Sequence, residues 1–283
     1  MSAPVASGPV RAEPGSVVTI GVYDGLHRGH MQVIGLVTRL ARQQGLRSVV
    51  VTFDRHPASV VRPESAPLQL TDLPQRIELL YKAGIDDVRL IEFTPERAAE
   101  SAEEFVDEVL VGELSARHVV VGSDFHFGRG RGGDVSLLEK MGATRGFVVE
   151  PFSLVADESG QIVSSTRIRR AISAGDLPEA ARLLGRPHEV RGLVVGAASA
   201  FAGAGEGSFG AEVAVPREIL LPPPGGYRAK VGLVGAAGVP LMDCHVVVPP
   251  LAGSLAVLGL PAEPVPATPL RVLFEKETGP GEL

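Results

Sequence analysis

The sequence predicts an α/β domain built on a parallel sheet, followed by a smaller all-β domain. In the first two thirds of the 283 residues, short apolar runs alternate with segments whose apolar residues recur at helical spacing. From about residue 190 onward, short apolar runs are instead separated by proline and glycine clusters. These observations predict a loose segment at 1–16, an α/β domain at 17–187, and a small antiparallel barrel or sandwich at 188–283.

The predicted elements follow one another in a regular order. In the α/β domain we expect strands at 17–20, 48–53, 88–93, 118–121 and 147–149, and helices at 31–43, 72–83, 102–113, 135–145, 164–174 and 180–184. Pro57 and Pro63 predict a loop after the second strand, and Asp176 with Glu179 has capping-box spacing before the last helix. Strands that alternate with helices of this length favour right-handed crossovers and helices on both faces of the sheet, a Rossmann-like arrangement. The β-rich part carries strands at 193–195, 211–215, 227–234, 241–248, 255–258 and 270–274.

Composition and charge argue against several classes of protein. The net charge of -6 provides no basic face for nucleic acid, and no apolar stretch reaches the roughly 20 residues of a membrane span. The amino terminus lacks the basic and apolar regions of a secretory signal. The single cysteine, Cys244, cannot form an internal disulfide and is expected to be an inert buried thiol. We therefore expect a cytoplasmic protein with neither a nucleic-acid nor a membrane partner.

A glycine-rich turn at 21–30, between the first strand and the first helix, is the strongest chemical signal. Its glycines let the backbone approach a phosphate closely, and the helix start offers unpaired N–H groups to an anion. His27 and His30 are three residues apart, so both imidazoles lie on one face of the first helical turn and can reach one phosphate. Two such donors would stabilise the charge that develops as pyrophosphate leaves. The helical zinc motif spaces its histidines four apart around a glutamate, which this turn does not.

The whole turn resembles the H-x-G-H signature of the adenylyltransferase superfamily, and the chain resembles the prokaryotic bifunctional FAD synthetase family, which joins a riboflavin kinase to an FMN adenylyltransferase. Three more motifs of that family follow in order. Residues 52–57 resemble T-F-[DE]-P-H-P with Arg55 in place of the proline, and residues 121–128 resemble V-G-x-[DN]-F-x-F-G. Residues 164–169 resemble S-S-T-x-I-R and lead to Leu-Leu-Gly-Arg-Pro at 183–187. Four ordered motifs over about 170 residues are far more specific than one.

The chemistry of these segments suggests roles for their residues. Ser164, Ser165 and Thr166 precede a helix, where they can hold a triphosphate or simply cap the helix, and Arg167 or Arg169 can add a charge-assisted contact. Asp24 can support the turn or a magnesium-bound nucleotide. The loop at 128–133, with Arg129 and Arg131, can close on a phosphate or remain a solvated surface loop.

A second group of residues can bind the acceptor, the molecule that receives the transferred AMP. Asp124, Phe125 and Phe127 follow a buried strand and can form an acceptor pocket with an aromatic wall, although core packing explains one of the two phenylalanines equally well. The resemblance implies flavin contact at the other strand end, 53–57.

The expected site is as follows. Catalytic residues are His27, His30, Ser164, Thr166 and Arg167; nucleotide-binding residues are Gly21, Tyr23, Asp24, Gly25, Gly29, Ser165 and Arg169; flavin-binding residues are Phe53, His56, Pro57, Asp124, Phe125 and Phe127. No direct protein ligand to a metal is assigned.

The expected reaction is in-line attack of the FMN phosphate on the α-phosphorus of ATP, with Mg²⁺ on the polyphosphate. Because the acceptor phosphate is already anionic at neutral pH, no general base is required, and catalysis consists of positioning and charge stabilisation. Two alternatives remain: a relative that uses another nucleotide or phosphorylated acceptor, and a non-catalytic flavin-binding or regulatory protein.

The family's kinase barrel is matched less well. Its G-F-P-T-A-N motif corresponds to residues 209–215, which contain neither threonine nor asparagine. Residues 220–227 do resemble the following segment L-L-P-x-x-G-V-Y, and Asp243 falls near the place of the family's catalytic glutamate. We therefore expect a retained barrel whose riboflavin kinase activity is lost or residual.

Overall fold

The structure, a computed structural model, describes residues 15–153, 156, 160–198, 209–236, 238–251 and 253–278. The loose segment predicted at 1–16 therefore lies almost wholly outside the described residues.

A five-stranded parallel sheet forms the first part of the fold. Its strands are β1 (Ser16–Ile20), β2 (Arg47–Phe53), β3 (Asp87–Ile91), β4 (Ala116–Gly122) and β5 (Val148–Phe152), in the order β3-β2-β1-β4-β5. The first strand is central because it pairs in parallel with both β2 and β4. Order and direction confirm the predicted Rossmann-like arrangement, whose ligands bind beyond the carboxyl ends of the strands.

Helices lie between these strands and after the last of them, and all but two short ones, at residues 58–61 and 95–98, overlap a predicted helix. They are α1 (Arg28–Gln44), α2 (Ala58–Val61), α3 (Leu73–Lys82), α4 (Pro95–Ala98), α5 (Ala102–Phe105), α6 (Val135–Arg145), α7 (Ser165–Ser173) and α8 (Leu177–Leu184). Asp176 caps α8 by accepting from the Glu179 N–H at 3.0 Å. Gly185, at φ 78°, ends α8 in the left-handed conformation, directly after the predicted last residue of this helix, Leu184.

Two predicted segments differ in detail. The proline-rich segment predicted as a loop contains α2 and a 3₁₀ turn at Pro63–Ser65, because a proline opens each of them with a φ suited to a helix. The helix predicted at 102–113 is α only as far as Phe105 and continues as a π-helix over Val106–Glu113. Its last turn shows the wider bonding, since Leu114 N–H donates to Val109 O at 3.0 Å.

The second part of the fold is a closed antiparallel barrel. Of the two architectures predicted, barrel and sandwich, the barrel is confirmed. Its strands are β6 (His188–Ala197), β7 (Phe209–Ala214), β8 (Gly225–Leu233), β9 (Met242–Val248), β10 (Ser254–Leu260) and β11 (Pro269–Glu277), in the order β10-β7-β6-β11-β8-β9. Alternate residues such as Val213, Tyr227 and Phe274 are almost fully buried in its core. Cys244 is buried, as predicted, and burial raises its thiol pKa to about 11, which favours the unreactive thiol over the thiolate.

The chain divides into two compact units. The first contains Met1–Gly21, Val33–Phe53 and Ala83–Ser153, and carries the parallel sheet. The second contains Val22–Gln32, Asp54–Lys82 and Leu154–Leu283, and carries the barrel. The barrel's unit thus also contains residues 22–30 of the glycine turn, the segment before α3, and the helices α7 and α8. The domain boundary near residue 187 stays a prediction.

Candidate functional site

The glycine turn is held in an uncommon backbone conformation. Tyr23, Gly25 and Leu26 have φ values of 52°, 82° and 37°, all in the left-handed region. A Cβ at Gly25 would lie 2.7 Å from Leu70 Cδ1, so both its φ and its surroundings favour glycine. Two non-glycine residues in this region cost free energy and persist only where neighbouring contacts impose them, a pattern that clusters at functional sites.

The histidine pair predicted from spacing forms a stacked pair of rings. The ring centroids of His27 and His30 are 3.6 Å apart with 18° between the planes, and Tyr23 meets His30 edge-on at 5.0 Å. His30 N–H donates to His27 Nδ1 at 3.3 Å, so His27 lies at the helix start and caps it. A Cβ at Gly29 would lie 3.2 Å from the His27 ring and 3.0 Å from Val163 O, so the absent side chain allows this close packing.

Both imidazoles are held neutral. Burial lowers the His27 pKa to about 4; nearby Asp24 opposes the shift, and Arg186 and Arg169 add to it. Burial also lowers the His30 pKa well below its usual value, with the neighbouring His27 and Arg186 contributing. His30 Nδ1 is buried without a hydrogen-bond partner in the described part of the chain, which further penalises a ring carrying two N–H donors.

Asp24 supports the turn from inside. Its carboxylate is almost fully buried and accepts from Leu70 N–H at 2.9 Å, Thr71 N–H at 3.1 Å and Arg169 Nη2 at 2.6 Å. Thr71 Oγ1 donates to the same carboxylate at 3.2 Å and accepts from Gly25 N–H at 3.1 Å. Of the two roles left open by the sequence, these contacts favour support of the turn.

The start of α7 adjoins the glycine turn. Ser164 Oγ caps the helix by accepting from Arg167 N–H at 3.3 Å, while Ser165 Oγ donates to Asp24 O at 3.0 Å. Thr166 is exposed. Capping by Ser164 leaves the N–H groups of the following residues at a helix start available to an anion, so capping and anion binding are compatible here.

The two predicted phosphate-binding arginines are engaged within the protein. Arg169 joins Asp24 through Nη2 and donates from Nε to Leu68 O at 2.7 Å. Arg167 Nη2 donates to Glu179 Oε1 at 2.7 Å. Glu179 also pairs with Arg182, so it lies in an arginine network, in place of the reciprocal capping-box bond that its spacing suggested.

Sequence reasoning did not assign a role to Arg186. Its Nη2 donates to Gly25 O at 2.6 Å and its Nη1 to Leu26 O at 3.1 Å. A second unassigned cation, Arg76, is fully buried and donates from Nη1 to Val22 O at 3.0 Å. Arg186 lies in the recognised Leu-Leu-Gly-Arg-Pro segment, which was the available signal; Arg76 lies in an ordinary helical pattern and offered none.

The predicted flavin residues near α2 are in the same unit as the turn. His56 Nδ1 accepts from Ala58 N–H at 3.1 Å, and burial lowers its pKa. Pro57 directly precedes α2 and has helical backbone angles. Arg55, which replaces the family's proline, is exposed and pairs with Asp54 at 2.8 Å.

The other predicted flavin residues are in the unit of the parallel sheet. Phe125 and Phe127 stack with centroids 5.4 Å apart, and both pack partly buried against the core. Phe53 meets Phe93 edge-on at 5.3 Å, and Asp124 is exposed. Core packing therefore accounts for part of each aromatic surface.

The basic loop at 128–133 is closed by main-chain pairing. Phe127 and Gly133 exchange hydrogen bonds at 3.0 and 2.9 Å, and Arg129 N–H donates to Glu100 O at 2.7 Å. A Cβ at Gly128 would lie 2.6 Å from Ala102 N. Arg129 and Arg131 themselves are exposed, so their side chains project from a braced loop.

The described ranges contain neither a metal-binding cluster of acidic, histidine or cysteine side chains nor a helix that could cross a membrane. No group of three or more His, Cys, Asp or Glu side chains there is arranged to hold a metal ion. None of the helices there combines the length and the apolar character that a bilayer crossing requires.

The chain combines a parallel sheet and a barrel with a neutral histidine pair at the glycine turn. These features define a Rossmann-like protein that carries an H-x-G-H motif at residues 27–30. Comparison with known proteins narrows this class. The FAD synthetase family matches residues 10–167. The chain belongs to the FAD synthetase family.

Relatives of known name agree with this membership. The bifunctional riboflavin kinase/FMN adenylyltransferase of Pseudomonas fluorescens is 40% identical over 181 residues, which cover 64% of this chain and 58% of that protein. The protein of the same name from Listeria monocytogenes is 34% identical over 222 residues, covering 77% of this chain and 68% of the relative. The matched part thus spans less than two thirds of the Pseudomonas protein.

A solved structure shows the same fold. The crystal structure of a macrolide-efflux protein from Streptococcus pneumoniae superposes with a TM-score of 0.76 and covers 97% of this chain and 90% of that chain. The two sequences are 24% identical, so the likeness concerns the fold.

Proposed function

We propose that the chain transfers the AMP part of ATP to FMN, giving FAD and pyrophosphate. A phosphate oxygen of FMN attacks the α-phosphorus of ATP, the new P–O bond forms, and the bond to the bridging oxygen of the β-phosphate breaks. The observation that carries the proposal is the stacked, neutral pair of His27 and His30 beside the start of α7. The bifunctional relatives carry FMN adenylyltransferase in their names, which agrees with it.

The histidines act as hydrogen-bond donors to the leaving pyrophosphate. A neutral imidazole has one N–H donor and one acceptor nitrogen. Since His27 Nδ1 accepts from His30 N–H, the proton of the His27 ring is assigned to Nε2, which is then free to donate to a phosphate oxygen. Because the ring is fixed by this bond and by stacking, the donor is positioned before the substrate binds, which is the condition for effective charge stabilisation.

No protein group has to remove a proton. The phosphate of FMN is anionic at neutral pH, so it can attack directly once it is aligned. Asp24, the acidic residue of the turn, has its carboxylate engaged by Leu70, Thr71 and Arg169, which makes it a support rather than a base.

Magnesium enters this proposal as part of the substrate, bound to the polyphosphate of ATP. The carboxylate of Asp24 is engaged by Arg169, Leu70 and Thr71, which favours an ion carried by the nucleotide. Bound there, Mg²⁺ neutralises charge on the transferring and leaving phosphates.

Binding of the acceptor is proposed for the residues singled out by the family motifs. Phe53, Phe125 and Phe127 offer partly buried aromatic surface, and His56 and Pro57 precede α2. These assignments stay proposals, as do the triphosphate contacts of Ser164 to Arg169.

We propose further that the barrel phosphorylates riboflavin weakly or not at all. In β7, Ala211 and Val213 are fully buried and aliphatic, and the intervening Glu212 is exposed. The hydroxyl and amide oxygens of the family's G-F-P-T-A-N motif, which suit a magnesium-bound nucleotide, have no counterpart in this strand.

The test is to incubate the purified chain with Mg²⁺, ATP and either FMN or riboflavin, and to measure flavins by chromatography and pyrophosphate by a coupled assay. We expect FAD and pyrophosphate in equal amounts from FMN, and little or no FMN or FAD from riboflavin. Flavin binding without pyrophosphate would support the regulatory alternative. Pyrophosphate formed with a different phosphorylated acceptor, and none with FMN, would support the relative of different specificity.

A further inference from the structure

Arg186 occupies a fixed place beside the histidine turn. Gly185 before it ends α8 at φ 78°, and Pro187 after it restricts the backbone. The first barrel strand, β6, begins directly afterwards at His188, whose Nε2 lies 2.9 Å from Leu220 O. The guanidinium is therefore carried by a backbone that the barrel anchors.

The guanidinium joins two consecutive carbonyls of the strained turn. Its Nη2 and Nη1 bind Gly25 O at 2.6 Å and Leu26 O at 3.1 Å. Leu26, at φ 37°, is a non-glycine residue in the left-handed region and needs outside contacts to stay there. A planar fork of donors suits two adjacent acceptors, whereas an ammonium group would reach one of them well.

These carbonyls lie immediately before His27. A change in the peptide orientation at Leu26 would rotate the Cα–Cβ direction of His27 and disturb its 3.6 Å stacking on His30. Displacements of about 1 Å in a catalytic constellation can cost a large part of the rate.

We propose that Arg186 is a positioning residue for adenylyl transfer: anchored at the start of the barrel, its guanidinium holds the glycine turn in the conformation that stacks His27 on His30. The inference rests on the proposed adenylyl transfer. It also gives the barrel a role, because the barrel then supports adenylyl transfer whether or not it phosphorylates riboflavin.

The kinetic test uses Arg186→Gln, Arg186→Lys and the matched control Arg217→Gln in the full chain. Arg217 is an exposed arginine of the same unit. We expect Arg186→Gln to lower kcat by about 10-fold or more with the KM for FMN little changed, because positioning acts on the transition state. Arg186→Lys should recover part of the loss, and Arg217→Gln should equal the parent chain.

A second readout does not depend on activity. The ring signals of His27, followed by NMR against pH, report its position among Asp24, Arg169, Arg186 and His30. Arg186→Gln should shift these signals and raise the His27 pKa above about 4, and Arg186→Lys should restore the pKa in part.

The outcomes separate the two proposals. If the parent chain makes no FAD, the proposed function fails, and the NMR comparison still tests the role of Arg186. A folded Arg186→Gln chain with parental kcat and parental His27 signals would overturn the inference. Should Arg186→Gln not fold, Arg186→Lys, which keeps the charge and one contact, serves for the same comparison.

Discussion

Replacing Asp24 by asparagine should lower the free energy of unfolding of the chain. It should do so because Asp24 supports the glycine turn, and not because a metal ligand is lost. If the asparagine oxygen keeps the contacts with Leu70 and Thr71, its NH₂ group takes the place of Oδ2 and faces Arg169 Nη2, which is 2.6 Å from that oxygen in the parent. The result is two donors in contact and an uncompensated guanidinium whose side chain is 17% exposed. Removing one partner of a buried ion pair costs about 3–5 kcal/mol.

Urea unfolding of Asp24→Asn, followed by circular dichroism without nucleotide, measures this loss. Asp107→Asn is the matched control, since Asp107 forms an exposed pair with Arg145 and exposed pairs contribute little to stability. If Asp24 is instead a ligand of the magnesium-nucleotide, Asp24→Asn should unfold like the parent and raise the KM for Mg²⁺ and ATP. That result would refute the supporting role.

Three further results are expected. His27→Gln should lower kcat by about 10²- to 10³-fold in the folded protein, since a charge-stabilising donor is lost; equal turnover would contradict the proposed role. Gly25→Ala should destabilise the chain by roughly 1–3 kcal/mol, since the φ of Gly25 is 82° and the added Cβ would meet Leu70. Gly35→Ala is the control: Gly35 lies in α1, and no atom lies within 4 Å of the Cβ that alanine would add. This control should be neutral or stabilising in the same melting assay. Burial lowers the pKa of both His27 and His188 to about 4 in the folded chain, from the ordinary value of 6.5. Since the unfolded chain then binds protons first, the free energy of unfolding should be highest above pH 6.5 and fall by roughly 3 kcal/mol per histidine as the pH drops toward 4. A free energy of unfolding in urea that does not change over that pH range would contradict this expectation.

Local patterns in the sequence were sufficient for the architecture. Alternating apolar runs predicted all five strands of the sheet, and the change of period near residue 190 predicted the β-rich part, because strand and helix periods are properties of neighbouring residues. The spacing of His27 and His30 likewise predicted that the rings lie together, since three residues make up nearly one helical turn.

Short-range deviations were harder to predict. The π-helical hydrogen bonding after Phe105 and the short helix α2 depend on small differences in free energy between similar backbone states. Closure of the β-rich part into a barrel required the pairing of β10 with both β7 and β9, which no single segment specifies.

The sequence by itself determined the family, the order of the elements and the residue types at the site. Only the tertiary structure decided that Asp24 supports the turn, that Arg169 and Arg167 are paired within the protein, and that Arg186 holds the two carbonyls before His27. Leu70, a partner of Asp24, lies 46 positions from it along the chain, and Gly25, a partner of Arg186, lies 161 positions from it. Hydrogen bonds over such separations form only when folding brings distant segments together. A pattern of neighbouring residues therefore does not predict them.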